Sequence, residues 1–272
     1  MIFKLYKYFI RLIFSFLLGS TILFAANEQL QQALEKLKLS YPDHIQAVFA
    51  SYILWTDGTK MPIGNFDNNK TTAEKLENPS LVDQLTQPHY ITGIPTENPQ
   101  TDPGRVRHEP FFRKMYGNSL DEVQNNLISI RWMPKIFWQN TYTLKVTKIN
   151  NFHEKIERIS DDLEELVSRH PEYVEFLNRP GGTFCWRNIA NTNRLSAHSF
   201  GMTIDINASL SHYWQWDLKK EKRPVDEESE LTYRNIIPWE IIEIFEKHGL
   251  IWGGKWYHYD TMHFEYRPEL IV

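Results

Sequence analysis

Apolar side chains at Phe152, Ile156, Ile159, Leu163, Leu166 and Val167 recur at three- and four-residue steps beneath a charged face, so Asn151 to Arg169 reads as an amphipathic helix. Pro171 ends it. The same spacing at Leu30, Ala33, Leu34 and Leu37 predicts a short helix from Leu30 to Leu39. Pro238 opens another that runs to His248, with Gly249 as its cap. Arg107 to Tyr116 reads as a helix stopped by Gly117, and Asn78-Pro79 as the start of one more. Elsewhere the pattern turns β-like. Ala47 to Trp55 predicts a strand closed by the Asp57-Gly58 turn, and Ile128 to Trp132 can pair with Thr143 to Ile149. After the Gly181-Gly182 break, Thr183 to Arg187 and Met202 to Ile206 read as short strands, and Ile251-Trp252 begins a last strand region. Pro88 to Pro110 reads as a loop. Helices concentrate in the first two thirds and short strands around the last third, which predicts an α+β fold with an antiparallel sheet.

The first 26 residues break this pattern. Lys4, Lys7 and Arg11 precede an apolar run from Leu12 to Ala26, the order of a secretory signal, with cleavage expected near Ala25 or Ala26. Leu23 or Phe24 stands where a small residue is usual before the cleaved bond, so an uncleaved membrane anchor is the alternative. The remaining 27–272 read as one domain. Without the three early cations, 27 basic residues face 34 acidic ones, a formal charge of −7, which disfavours nucleic acid as a partner. One cysteine, Cys185, cannot form an internal disulfide and reads as a small buried hydrophobe.

Chemistry concentrates in two stretches of 181–272. The first runs Ser196-Ala197-His198-Ser199-Phe200-Gly201-Met202-Thr203-Ile204-Asp205, and the second Asp260-Thr261-Met262-His263-Phe264-Glu265. Asp205 lies inside an apolar run, where a carboxylate needs a cation or several donors to offset its desolvation. Gly201 lets the chain turn tightly, so His198 can fold back beside Asp205. With His263 the set becomes two imidazoles and one carboxylate, which leaves a fourth tetrahedral position for water as in catalytic zinc sites. Asp260, three residues before His263, is the candidate general base, because zinc lowers the pKa of bound water to about 7 and an ordinary carboxylate then suffices. Negative charge developing on the substrate calls for an arginine. Arg187 is preferred, and Arg194 is the alternative.

Ser196-x-His198-x-x-Gly201-x-x-x-Asp205 with Asp260-x-x-His263-Phe264-Glu265 closely resembles the zinc D-alanyl-D-alanine carboxypeptidases of the VanY type and the related L-alanyl-D-glutamate endopeptidases. The resemblance covers about a third of the chain, from Gly181 to the C-terminus. It implies a small antiparallel sheet carrying a zinc site, flanked by helices, with the metal on His198, Asp205 and His263. It also implies Asp260 as catalytic acid and base, Arg187 near the metal, and Ser196 in support. Thr203 departs mildly from the small residue many relatives carry there. The activity implied by the resemblance is hydrolysis of peptide bonds in peptidoglycan stem peptides by an exported protein of the periplasm or cell envelope. D-alanyl-D-alanine carboxypeptidase comes first. The alternatives are the L-alanyl-D-glutamate endopeptidase and a zinc-containing cell-wall-binding module without turnover.

The rest of the chain carries less. Asp102-Pro103-Gly104-Arg105 reads as a turn, with lining of a substrate cleft as the alternative. His258 can orient a site group or sit in an aromatic belt, and His212 and His248 read as structural. Trp252, Trp256, Tyr257 and Tyr259 can wall a groove, though aromatics in strand-rich segments more often pack a core. Lys219 to Glu230 reads as a solvated loop of mixed charge.

Overall fold

A computed structural model describes residues 28–271 apart from 68, 96 and 191. The expected signal peptide at 1–26 lies outside the described residues. Among those described, no helix is long and apolar enough to cross a membrane. The chain divides between Asn65 and Phe66 into two compact units, where the patterning suggests one domain.

In the first unit, helix α1 (28–40) buries Leu30, Ala33, Leu34 and Leu37 on one face, as their spacing demands. Three antiparallel strands come next, β1 (Ile45–Val48), β2 (Tyr52–Trp55) and β3 (Lys60–Pro62), in that order. The single strand expected over Ala47 to Trp55 is therefore a hairpin. The chain reverses at 49–51, where the Phe49 N–H donates to the Tyr52 carbonyl at 2.9 Å and small Ala50 and Ser51 offer nothing to bury. Gly58 turns the chain from β2 to β3 at φ +82°, and Asp57 caps that turn by accepting from the Thr59 N–H.

The second unit mixes helices with two small antiparallel sheets, the α+β class predicted. Helices α2 (Thr72–Glu77) and α3 (Leu81–Leu85) each begin with a capping box, Thr71 with Glu74 and Ser80 with Asp83. Asn78-Pro79 thus lies between two helices, and the second starts after Ser80. Helix α4 (Glu109–Tyr116) stops at Gly117 as expected, and α5 (Leu120–Asn125) leads into β4 (Leu127–Trp132). β4 pairs with β5 (Tyr142–Thr147).

Helix α6 (Phe152–Arg169) buries all six residues of its apolar stripe, each contributing about 1.5–3 kcal/mol of burial. After α7 (Val174–Leu177) come β6 (Thr203–Asp205), α8 (Trp214–Lys220), α9 (Trp239–Lys247), β7 (Leu250–Trp252) and β8 (His263–Tyr266). β8 is the centre of a three-stranded sheet ordered β6-β8-β7. α9 packs on it, with Phe245 stacked on Phe264 at 3.8 Å between ring centroids, and Phe152 of α6 meets Tyr266 at 5.5 Å.

The strand expected over Thr183 to Arg187 does not form. Its backbone and hydroxyl groups bond to scattered partners on β5 and the turn at Ala197–Phe200 instead of to a continuous ladder. Thr183 Oγ1 donates to the Lys145 carbonyl at 2.6 Å, the Cys185 N–H to the His198 carbonyl at 3.2 Å, and the Arg187 N–H to Ser199 Oγ at 3.1 Å. Cys185, expected to be buried, is exposed, because this arm lies over the surface of the loop it braces.

Candidate active site

Ser196 opens a single 3-10 turn, Ala197–Phe200, and its Oγ accepts from the His198 N–H at 3.3 Å. Gly201 closes the turn at φ +65°. That left-handed conformation favours glycine, and a Cβ there would also have to push aside the Leu127 side chain, 2.6 Å away at Cδ2, and stand 3.2 Å from the Thr147 backbone nitrogen. The turn presents the buried His198 imidazole beside the end of β6. Across the sheet, Asp205 of β6 is the register partner of His263 of β8, which places their side chains on the same face. Sheet registry and the braced turn together assemble the cluster.

His198 Nε2 lies 3.2 Å from Asp205 Oδ1, His263 Nδ1 lies 2.9 Å from that same oxygen, and the two nitrogens are 3.3 Å apart. Among the described residues, these are the His, Cys, Asp or Glu side chains grouped so that one donor atom from each could hold one metal ion. Their chemistry suits zinc. With zinc–ligand bonds of about 2.0–2.1 Å, the edge of a coordination tetrahedron is about 3.3 Å, close to all three separations. Electrostatics agree. Burial by itself would raise the Asp205 carboxyl, yet the two imidazoles outweigh it and hold the group well below the usual carboxylate range. Burial likewise opposes charge on His263, but Asp205 and Glu265 overcome it and push its pKa well up. Two carboxylates thus invite positive charge where the three donor atoms meet.

Glu265 is completely buried two residues beyond His263. Its Oε2 lies 3.3 Å from His263 Nε2 and accepts from Arg107 Nη1 at 3.0 Å, while Oε1 accepts from Arg267 Nη1 at 3.0 Å. An Nε2–H donated to Glu265 leaves the Nδ1 lone pair directed at Asp205 and His198, the tautomer a metal ligand needs.

Asp260 precedes His263 by one tight turn, and the His263 N–H donates to its carbonyl at 3.2 Å. The Asp260 N–H donates to Gly253 at 3.0 Å, and a Cβ on Gly253 would sit 2.6 Å from the Asp260 carbonyl, so this turn too is held by backbone contact. Asp260 Oδ1 is buried with no hydrogen-bond partner among the described residues. Burial first, and the Asp205 carboxylate second, push its pKa up to about 7. An unpartnered carboxylate oxygen of near-neutral basicity is suited to moving protons, and a bound cation would lower that basicity.

His198, Asp205, Asp260 and His263 all line a cleft of about 620 Å³, with Glu265 buried behind His263. Arg187 lines it, exposed, and its charge lowers the Asp260 pKa, whereas Arg194, also in the wall, pairs with Glu77 at 3.1 Å. Of the two arginines the sequence leaves open, Arg187 is the one acting electrostatically on Asp260. Arg105 lines the cleft, the alternative that the sequence leaves open for the turn at Asp102 to Arg105. Other cleft residues escape the sequence reading. Arg107 reaches the wall from the Pro-rich loop, and Tyr213 joins Asp260 through a β-bridge. Glu265 left a signal in a charged residue on an apolar strand, on the same face as the candidate ligand. Trp256 lines the cleft and donates through Nε1 to the Pro103 carbonyl at 2.6 Å, whereas Trp252 is fully buried and Tyr259 donates to Asp217 at 3.0 Å.

His258 is buried at the cleft edge, where its Nδ1 lies 2.7 Å from Asp102 Oδ2. His212 and His248 bond to Asp217 and Asp162, as structural histidines do.

Residues 190–266 match a family model described as D-alanyl-D-alanine carboxypeptidase. The span contains His198, Asp205, Asp260, His263 and Glu265, and excludes Arg187, Arg105 and Arg107. Comparison with curated proteins and with solved structures gave no match.

Proposed function

We propose that the chain is an exported zinc peptidase of bacterial cell-wall peptides, acting foremost as a D-alanyl-D-alanine carboxypeptidase on peptidoglycan stem peptides. The observation that carries this reading is the unpartnered Asp260 oxygen, set in one cleft with three metal-donor atoms spaced 2.9 to 3.3 Å apart. The match over 190–266 supports a metallopeptidase of cell-wall peptides.

His198, Asp205 and His263 would hold the ion, which when bound supplies Lewis acidity to the reacting carbonyl and acidifies water. Asp260 takes the proton from the attacking water at Oδ1 and returns it to the leaving amine nitrogen. Glu265 keeps His263 in the ligating tautomer. Arg187 meets negative charge, either the carbonyl oxygen as it becomes an oxyanion or the terminal carboxylate of the substrate. A guanidinium that grips a free carboxylate favours removal of a terminal residue over internal cleavage. Export belongs to the same proposal, resting on the charge-then-apolar order of 1–26.

Digestion of defined muropeptides by the zinc-loaded protein, with mass analysis of the products, tests this reading. Release of free D-alanine is expected. Cleavage between L-alanine and D-glutamate would replace carboxypeptidase with endopeptidase, and sedimentation with peptidoglycan without any product would replace both with a binding role.

A further inference from the structure

Three guanidinium groups, those of Arg105, Arg107 and Arg194, line the same cleft, where Arg105 and Arg194 both lower the pKa of Arg107 and Arg105 lowers that of Arg194. Each is compensated differently. Arg107 has the fully buried Glu265, a permanent partner. Arg194 has the half-exposed Glu77. Arg105 has two acids of contrasting character. Asp102 is fixed, since its Oδ1 accepts from the His258 N–H at 2.9 Å and its Oδ2 meets His258 Nδ1. Glu227 is not. It stands 44% exposed in a run of exposed residues from Glu221 to Glu228.

Glu227 nevertheless occupies both arms of the Arg105 fork, Oε2 accepting from Nη1 at 3.0 Å and Oε1 from Nη2 at 2.9 Å. Two parallel charge-assisted bonds from one guanidinium to one carboxylate are the geometry by which arginine recognises a carboxylate ligand. The backbone of Glu227 has a tie of its own, its carbonyl lying 2.9 Å from His258 Nε2, which is nearer than the 3.5 Å that separates that nitrogen from Glu227 Oε2. The side chain can therefore swing away without releasing the loop.

Resting on the peptidase reading above, we propose that Arg105 is a carboxylate subsite of the cleft, that Glu227 fills it as an internal ligand, and that a second acidic group of the substrate displaces Glu227. The substrate class is then a peptide bearing a free carboxylate besides the one at its terminus. Arg105 and Glu227 set preference for that acid and take no part in bond cleavage.

The test uses the full-length, zinc-loaded protein carrying Asp260→Asn to prevent turnover, and two stem peptides identical except that the glutamate α-carboxyl is free or amidated. Affinities come from calorimetry. Glu227→Gln should tighten the free-acid peptide about tenfold, since a competing charged partner is gone, and leave the amide unchanged. Arg105→Gln should erase the preference between the two peptides, and Arg105→Lys should retain part of it if the fold is intact by circular dichroism. Equal effects of Glu227→Gln on both peptides, an undiminished acid preference in both Arg105 variants, or binding of neither peptide would overturn the proposal. Turnover by the protein with Asp260 in place separates the two readings. Hydrolysis of both peptides with a preference indifferent to Arg105 removes this inference alone. The expected binding responses without hydrolysis of either peptide would remove the peptidase reading alone.

Discussion

Asp260 combines an unpartnered oxygen with a pKa pushed up to about 7, and Asp260→Asn keeps its shape while removing the proton acceptor. The variant should lose about 100-fold or more in kcat on stem peptides while binding zinc stoichiometrically, measured by turnover alongside metal analysis. Full activity would remove Asp260 from proton transfer. Glu265→Gln tests the residue behind the ligand. Zinc affinity, read by competition with a chromogenic chelator, should fall roughly 10–100-fold. An unchanged affinity would reduce Glu265 to a partner of Arg107 and Arg267. In the metal-free protein, burial disfavours charge on His263, but Asp205 and Glu265 raise its pKa far enough to hold a proton at neutral pH. Zinc must expel that proton, so apparent affinity should rise with pH, and titration in weak buffer should show acid released. The site residues were legible because an acid in an apolar run, two histidines and a glycine turn are rare in combination. Arg105 was legible only as the alternative to a plain turn, and Arg107 was not, since nothing in a Pro-rich loop reveals which distant wall it will join.

At the level of elements, Asp83 ties the start of α3 to Lys70 at 2.7 Å while completing the capping box with Ser80. Burial would raise its carboxyl, but the Lys70 ammonium and the Ser80 donors outweigh it and keep the pKa low. A carboxylate depressed in the folded state adds stability above its unfolded value, near pH 4, and that stability fades as pH falls through the lower folded value. Asp83→Asn should therefore cost about 1 kcal/mol in urea melts at pH 7, with the gap from the parent narrowing in acid. A gap independent of pH would assign Asp83 a packing role. Long amphipathic helices such as α6 were readable because their period repeats for five turns. The hairpin inside Ala47 to Trp55 and the irregular arm at Thr183 to Arg187 were not. A reversal at small residues and a backbone satisfied by scattered partners leave no period to read.

For the molecule as a whole, an ion bound by the folded form alone adds RT ln(1 + [L]/Kd) to stability, about 4 kcal/mol at a thousandfold excess over Kd. Chelation should lower the calorimetric Tm of the unit that holds the cluster, residues 66–272, on the order of 10 °C, and zinc should restore it. A Tm indifferent to chelator would mean that the three donors do not share an ion. The pairing of Asp205 with His263 across β6 and β8 ties that energy to the architecture. Side chains alternate faces along a strand, so sliding β6 past β8 by one residue would turn Asp205 away from His263. A bound ion would then act as a proofreader of folding, favouring the one strand alignment that can chelate it and abandoning its misaligned competitors.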